Sequence, residues 1–117
     1  MIAAVHSLSA PAAARMLLPH LPAEQHRPTY AFVWQVVAAL SAAFTAHLPA
    51  PERHDEDRAP LSQTELQARG VEHGGAHAIK FTEACLREHQ ASGDPVYLFA
   101  AEEIVPVMRI TDSTPGG

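Results

Sequence analysis

Thr29-Tyr30-Ala31-Phe32-Val33-Trp34-Gln35-Val36-Val37-Ala38-Ala39-Leu40-Ser41-Ala42-Ala43-Phe44-Thr45-Ala46-His47-Leu48 runs for twenty residues without a glycine, a proline or a formal charge. A stretch of that length reads as one helix of about five turns. It also meets the length needed to cross a bilayer. Against a span, Gln35, Ser41, Thr45 and His47 interrupt it, six of its residues are alanine, and no Lys or Arg cluster marks either end. The reading is therefore a helix of a globular core, with no membrane partner. Tyr30, Phe32, Trp34 and Phe44 fall on several sides of this helix, so protein is expected to surround most of its faces.

Working outward, Gln25-His26-Arg27-Pro28 is polar punctuation before this helix, and Ser9-Ala10-Pro11 is an N-cap with an early-turn proline ahead of helix-forming Ala12 to Leu18. Pro19 and Pro22 close that helix. Ile2 to Leu8 is either a short preceding helix or an extended lead-in. On the other side, Pro49-Ala50-Pro51 ends the long helix, and Glu52 to Pro60 is acid-rich with Arg53, Arg58 and His54 and almost nothing to bury, a solvated loop. Ser62-Gln63-Thr64-Glu65 matches a capping box. Gly70 is a break, a further helix is predicted from Glu72 or His73 to Gln90, and Asp94-Pro95 opens a last one that ends near Pro106. The only β-like alternation, Val105 to Ile110, is too short to build a sheet. The fold class is all-α, a multi-helical single domain of about four to five helices over 1–110, with a solvated loop over 49–61 and a flexible tail over 111–117.

Composition sets limits on that domain. Of 117 residues, 22 are alanine, and Leu, Ile, Val and Phe together number 26, which points to a marginal or partner-dependent core. Eight basic against 13 acidic side chains leave a formal charge of −5, so the positive stripe needed to bind nucleic acid is missing. The single cysteine, Cys85, forbids an internal disulfide and fits a reducing compartment. The N-terminus has no charged leader followed by a pure apolar run, and a cytoplasmic location is expected.

Histidine is the unusual residue, with eight copies. At about 100° per residue, His73, His77, Lys80, Ala84 and Glu88 share one stripe of the helix that starts near residue 72, while Ile79, Thr82, Glu83 and Leu86 lie opposite. A buried amine needs a partner, so this row is expected to meet a carboxylate or to face a cavity. Gly74-Gly75 either lets a flat ligand approach or forms a turn between two helices, the plainer reading. Two histidines four apart also suit a divalent metal, but the residue after the first is Gly74 rather than the zincin glutamate, and no metal is expected. Cys85 reads as a small core residue.

The run His77-Ala78-Ile79-Lys80-Phe81-Thr82-Glu83-Ala84-Cys85-Leu86-Arg87-Glu88, followed by Gly93-Asp94-Pro95-Val96-Tyr97-Leu98-Phe99-Ala100-Ala101, resembles the C-terminal end of the questin oxidase-like family. Val5-His6 with Ala12 to Leu21, and Tyr30 to Phe44 around Trp34-Gln35, look similar to it as well. The resemblance implies part of a larger helical oxidoreductase fold. It also implies a Baeyer–Villiger-type monooxygenase activity on an anthraquinone or related polyketide, with NADPH and dioxygen. His77 and Lys80 match a recurring motif of that family, and His6 falls on another recurring histidine. Together with His73 they form the expected catalytic set, the histidines and lysine supplying donors to an oxyanion. Members of the family are considerably longer, so a homo-oligomer or an N-terminal partner chain is expected to complete the walls. The alternatives are a noncatalytic helical interaction module and a small metal- or ligand-binding helical protein.

Overall fold

A computed structural model describes residues 2–46, 48 and 58–109, with side chains from residue 5 onward. His47, His54, most of the expected loop and the tail over 111–117 lie outside the described residues. Among the described residues, five α-helices carry the fold: α1 (Ile2–Leu17), α2 (Ala23–Phe44), α3 (Gln63–His73), α4 (Ala76–Ser92) and α5 (Val96–Ile104), with single 3-10 turns at Leu18–His20 and Val105–Val107. No strand occurs among the described residues, so the all-α expectation stands. Within it, the chain divides into two compact units, Met1–Asp57 and Arg58–Gly117.

The first unit is a hairpin of α1 and α2. Ser9-Ala10-Pro11 does not start a helix, because α1 runs straight through it with Pro11 inside. Val5 and Ala12, seven residues apart and therefore on one face, are both buried, and their packing offsets the backbone bond that Pro11 has no N–H to make. Gln25 to Pro28 is likewise helical. α2 starts at Ala23, with Pro28 in its second turn, and the His26 ring reaches back to donate from Nε2 to the Leu21 carbonyl at 3.0 Å. At the other end, the Thr45 hydroxyl donates to the Ser41 carbonyl at 2.9 Å, and the Thr45 and Ala46 N–H groups close on the same oxygen. This triple use of one carbonyl stops the helix at Phe44, four residues short of the predicted Leu48.

The expectation that protein surrounds α2 is overturned: none of its residues is buried. Thr29, Val33, Val36 and Leu40, with Val37 and Ala38 beside them, are half-buried and form the side turned to α1. Tyr30, Phe32, Trp34 and Phe44 are 56–71% exposed. An aromatic residue on every side marks a buried helix only when the chain supplies enough neighbours, and a two-helix unit does not.

The second unit is built around α4, which buries Ala78, Phe81, Thr82, Ala84, Cys85, Leu86 and Glu88 between α3 and α5. Leu66, Leu98, Phe99, Val105 and Met108 complete the core. The capping box forms as read, with Ser62 Oγ accepting from the Glu65 N–H and the Glu65 carboxylate accepting from the Ser62 N–H at 2.9 Å. The break expected at Gly70 lies four residues later. Gly70 stays helical because α4 crosses there, so close that a Cβ would stand 2.8 Å from Thr82 Oγ1. Gly74 instead ends α3 at φ 72°, a left-handed conformation that favours glycine, and Gly75 opens α4. Ahead of α5, the Asp94 carboxylate accepts from the Val96 N–H at 2.9 Å, the cap expected of Asp94-Pro95.

Candidate functional site

Because α3 and α4 are separate helices, the row of His73, His77 and Lys80 is not one continuous helical stripe. His73 ends α3 and is half-buried. Its Nδ1 accepts from the Gly75 N–H at 3.2 Å, which leaves the proton on Nε2, and Nε2 donates to the Met108 carbonyl at 2.9 Å. Both ring nitrogens are thus spent on backbone, tying the end of α5's following turn to the α3–α4 corner. His73 is a fastening of the fold with no nitrogen left over for a ligand.

His77 and Lys80 sit in the first two turns of α4, His77 half-buried and Lys80 exposed. They remain neighbours on one face through their three-residue spacing. Glu88, at the far end of the same stripe, is 6% exposed. His6 belongs to α1 in the other unit and is exposed. The structure therefore keeps His77 and Lys80 together, assigns His73 to the backbone, and leaves His6 on a separate unit. Cys85 is fully buried and its thiol is pushed up to about 12 by that burial, as befits a core residue rather than a nucleophile.

The concave surface of this unit lies on the opposite side of α4. A groove of about 480 Å³ is lined by Gln67, Gly70 and Val71 from α3 and by Ile79, Thr82, Glu83, Leu86, Arg87 and Gln90 from α4. The hollow expected over His73, His77 and Lys80 is not this one, since none of the three lines it. Its walls are apolar at Val71, Ile79 and Leu86, and its rim is polar. Arg87 donates to the Glu83 carboxylate one turn back, and Gln90 Nε2 donates to Gln63 Oε1 at 3.3 Å. Under the floor, Thr82 is 4% exposed, and its Oγ1 has no hydrogen-bond partner among the described residues.

These groove residues escaped the sequence reading because they occupy the face set against the histidines. The usable signal was Gly70 on α3 with small Thr82 on α4, a pair that lets two helices approach closely. The groove does not fit a nicotinamide dinucleotide. Its one guanidinium is committed to Glu83, and no glycine-rich turn presents N–H groups to a phosphate there. Among the described residues, no group of three or more His, Cys, Asp or Glu side chains is placed to hold a metal ion. No helix among them is long and apolar enough to cross a membrane.

A second polar cluster holds the segment that leads into α3. Arg58 Nη1 donates to Glu102 Oε1 at 2.5 Å, the Leu61 N–H donates to Glu102 Oε2 at 3.1 Å, and the Arg58 guanidinium lies 4.9 Å from the Phe99 ring centroid. The guanidinium bond holds the Glu102 carboxyl below its ordinary range, against the opposing effect of its partial desolvation. This is a clamp between the segment leading into α3 and α5. Comparison with family models, curated proteins and solved structures finds no match.

Proposed function

We propose that this chain, which resembles the C-terminal portion of the questin oxidase-like family, acts by itself or as a homo-oligomer as an oxidoreductase of that kind, one that inserts oxygen beside a carbonyl of an anthraquinone or related aromatic polyketide. The observation that supports it is the run from His77 to Ala101, whose resemblance to that family coincides with α4 and α5, two helices that each bury several side chains. Along this run His77 and Lys80 stand within two turns of each other at the start of α4. Oxygen insertion builds negative charge on the attacked carbonyl oxygen, and an imidazole N–H with an ammonium on one helix face suits that charge. His73 serves as a positioning residue, fixing the corner from which α4 starts. NADPH enters only as a requirement of the resembling family, and no step is routed through the groove.

The second reading is a noncatalytic helical interaction module. It is favoured by the exposure of Lys80 and by a groove that His77 and Lys80 do not reach. Turnover separates the two. The folded chain, incubated with an anthraquinone panel, NADPH and dioxygen, is expected to give ring-opened product by mass spectrometry. His77→Ala and Lys80→Ala should each lower the rate by roughly 10² or more. Product formation undiminished in both variants would remove the site assignment, and no product from the folded wild type would leave the interaction module.

A further inference from the structure

The uncovered surface of α2 has a definite register. Tyr30, Trp34, Val37, Ser41 and Phe44 follow one another at steps of four, three, four and three residues, the spacing of a two-helix seam. This line runs beside the Thr29, Val33, Val36 and Leu40 stripe turned to α1 and meets the half-buried side of α2 only at Val37. On it Tyr30, Trp34 and Phe44 are 59%, 71% and 56% exposed, and Val37 is half-buried.

We infer that α2 docks antiparallel on the α2 of a second copy of this chain. This rests on the reading of α2 as an unfinished surface and not on any catalytic assignment. Four features of the seam select a second copy. From Thr29 to Phe44 no residue carries a formal charge, so two copies meet there without the repulsion that their net charge of −5 would bring elsewhere. The sequence of side chains is complementary to its own reversal. A two-fold axis at Ala39 sets Trp34 opposite the other copy's Phe44 and Val37 opposite its Ser41, so that two of the three rings face each other and the small hydroxyl meets the valine, while Tyr30 lies one turn beyond, past the end of the other copy's α2.

Ser41 is ready for such a setting. The Thr45 hydroxyl donates to the Ser41 carbonyl, which leaves Ser41 Oγ to donate to Thr45 Oγ1 at 3.0 Å, so the group needs no partner from across the seam. The area is of the right order too. Each of the three rings holds roughly 100 Å² of wetted apolar surface, so two copies bring about 600 Å² from rings alone, the larger part of the about 1,000 Å² that a specific interface needs, and Val37 and the flanking alanines add to it. The product would be a four-helix bundle of two hairpins, the standard way for such hairpins to bury a second face.

Trp34 is the only tryptophan, so its emission reports on the seam alone. The expected result is blue-shifted emission at high concentration that moves toward that of a wetted indole on dilution, in step with a halving of the sedimentation mass. Trp34→Glu should sediment as a monomer with an unchanged helical spectrum. Should that variant fail to fold, the Val37→Cys/Ser41→Cys double variant provides an independent reading. It should form inter-copy disulfides on oxidation, whereas Phe32→Cys, on the far side of α2, should not. Shielded emission in a monomer at every concentration would overturn the inference in favour of a cover within the chain. A blue shift only on adding phosphatidylcholine–phosphatidylglycerol vesicles would overturn it in favour of a lipid surface. Wetted emission throughout would leave the seam without an occupant. None of these outcomes alters the turnover assay, so the two proposals fail separately.

Discussion

Thr82 and Gly70 make the sharpest local test of the second unit. The Thr82 hydroxyl is buried without a hydrogen-bond partner among the described residues, and Gly70 is a glycine because α4 leaves no room for a methyl group, with Thr82 Oγ1 at 2.8 Å from the Cβ position. Replacing a buried hydroxyl that makes no bond by a methyl of the same shape removes a desolvation cost. Thr82→Val is therefore expected to hold or raise stability in urea melts, and Gly70→Ala to lower it by about 1–3 kcal/mol. A loss on Thr82→Val of the size caused by breaking a buried bond would show that the hydroxyl is in use. Cys85 offers a second test. With full burial and a thiol raised to about 12, it should resist iodoacetamide in the folded chain at pH 8 and react once, quantitatively, in denaturant. Rapid labelling under native conditions would contradict the placement of α4 at the centre.

At the level of helices and their ends, the Arg58–Glu102 clamp gives a pH dependence whose sign is fixed. The folded carboxyl is held below its ordinary value of 4.5, so its contribution to stability is present above that value and is lost as pH falls through the folded one. Denaturant melts of the wild type should lose stability from about pH 4.5 downward, and Glu102→Gln should flatten that acid limb while matching the wild type's slope above pH 6. Equal acid limbs would show that the clamp is not formed in solution.

What the sequence disclosed follows the same division. The Ser62–Glu65 box and the Asp94 cap were legible because each motif satisfies its own neighbouring N–H groups. Glycine was ambiguous: Gly70 and Gly74 look alike in the chain, and only the approach of Thr82 distinguishes a packing glycine from a left-handed stop. Pro11 and Pro28 misled in a similar way, since local chemistry disfavours them in helices and tertiary packing overrides it. Of the histidine row, His77 and Lys80 do share one helix three residues apart, but Lys80 is exposed and neither lines the groove, because a helical wheel gives the spacing of side chains and not what faces them. His73 could not be resolved, because its partners, Gly75 N–H and the distant Met108 carbonyl, are set by the corner between two helices.

For the molecule as a whole, two units differ in how far they finish their own cores. The Arg58–Gly117 unit buries a continuous set from Leu66 to Met108, whereas the hairpin of α1 and α2 buries Val5, Ala12 and Leu18 and leaves α2 with no buried residue. Composition led to the expectation of a marginal or partner-dependent core, and the hairpin is the unit in which few described side chains are buried. Apolar aromatic surface in a heptad register, uncharged along its length, is a feature of a surface meant to be covered. The account thus turns on a second copy completing this hairpin. Sedimentation equilibrium of the wild-type chain over a hundredfold range of concentration tests it most directly. The account predicts a mass near twice 12.6 kDa at the upper end, falling to the single-chain mass on dilution; a single-chain mass at every concentration, from a protein that melts cooperatively, would contradict it.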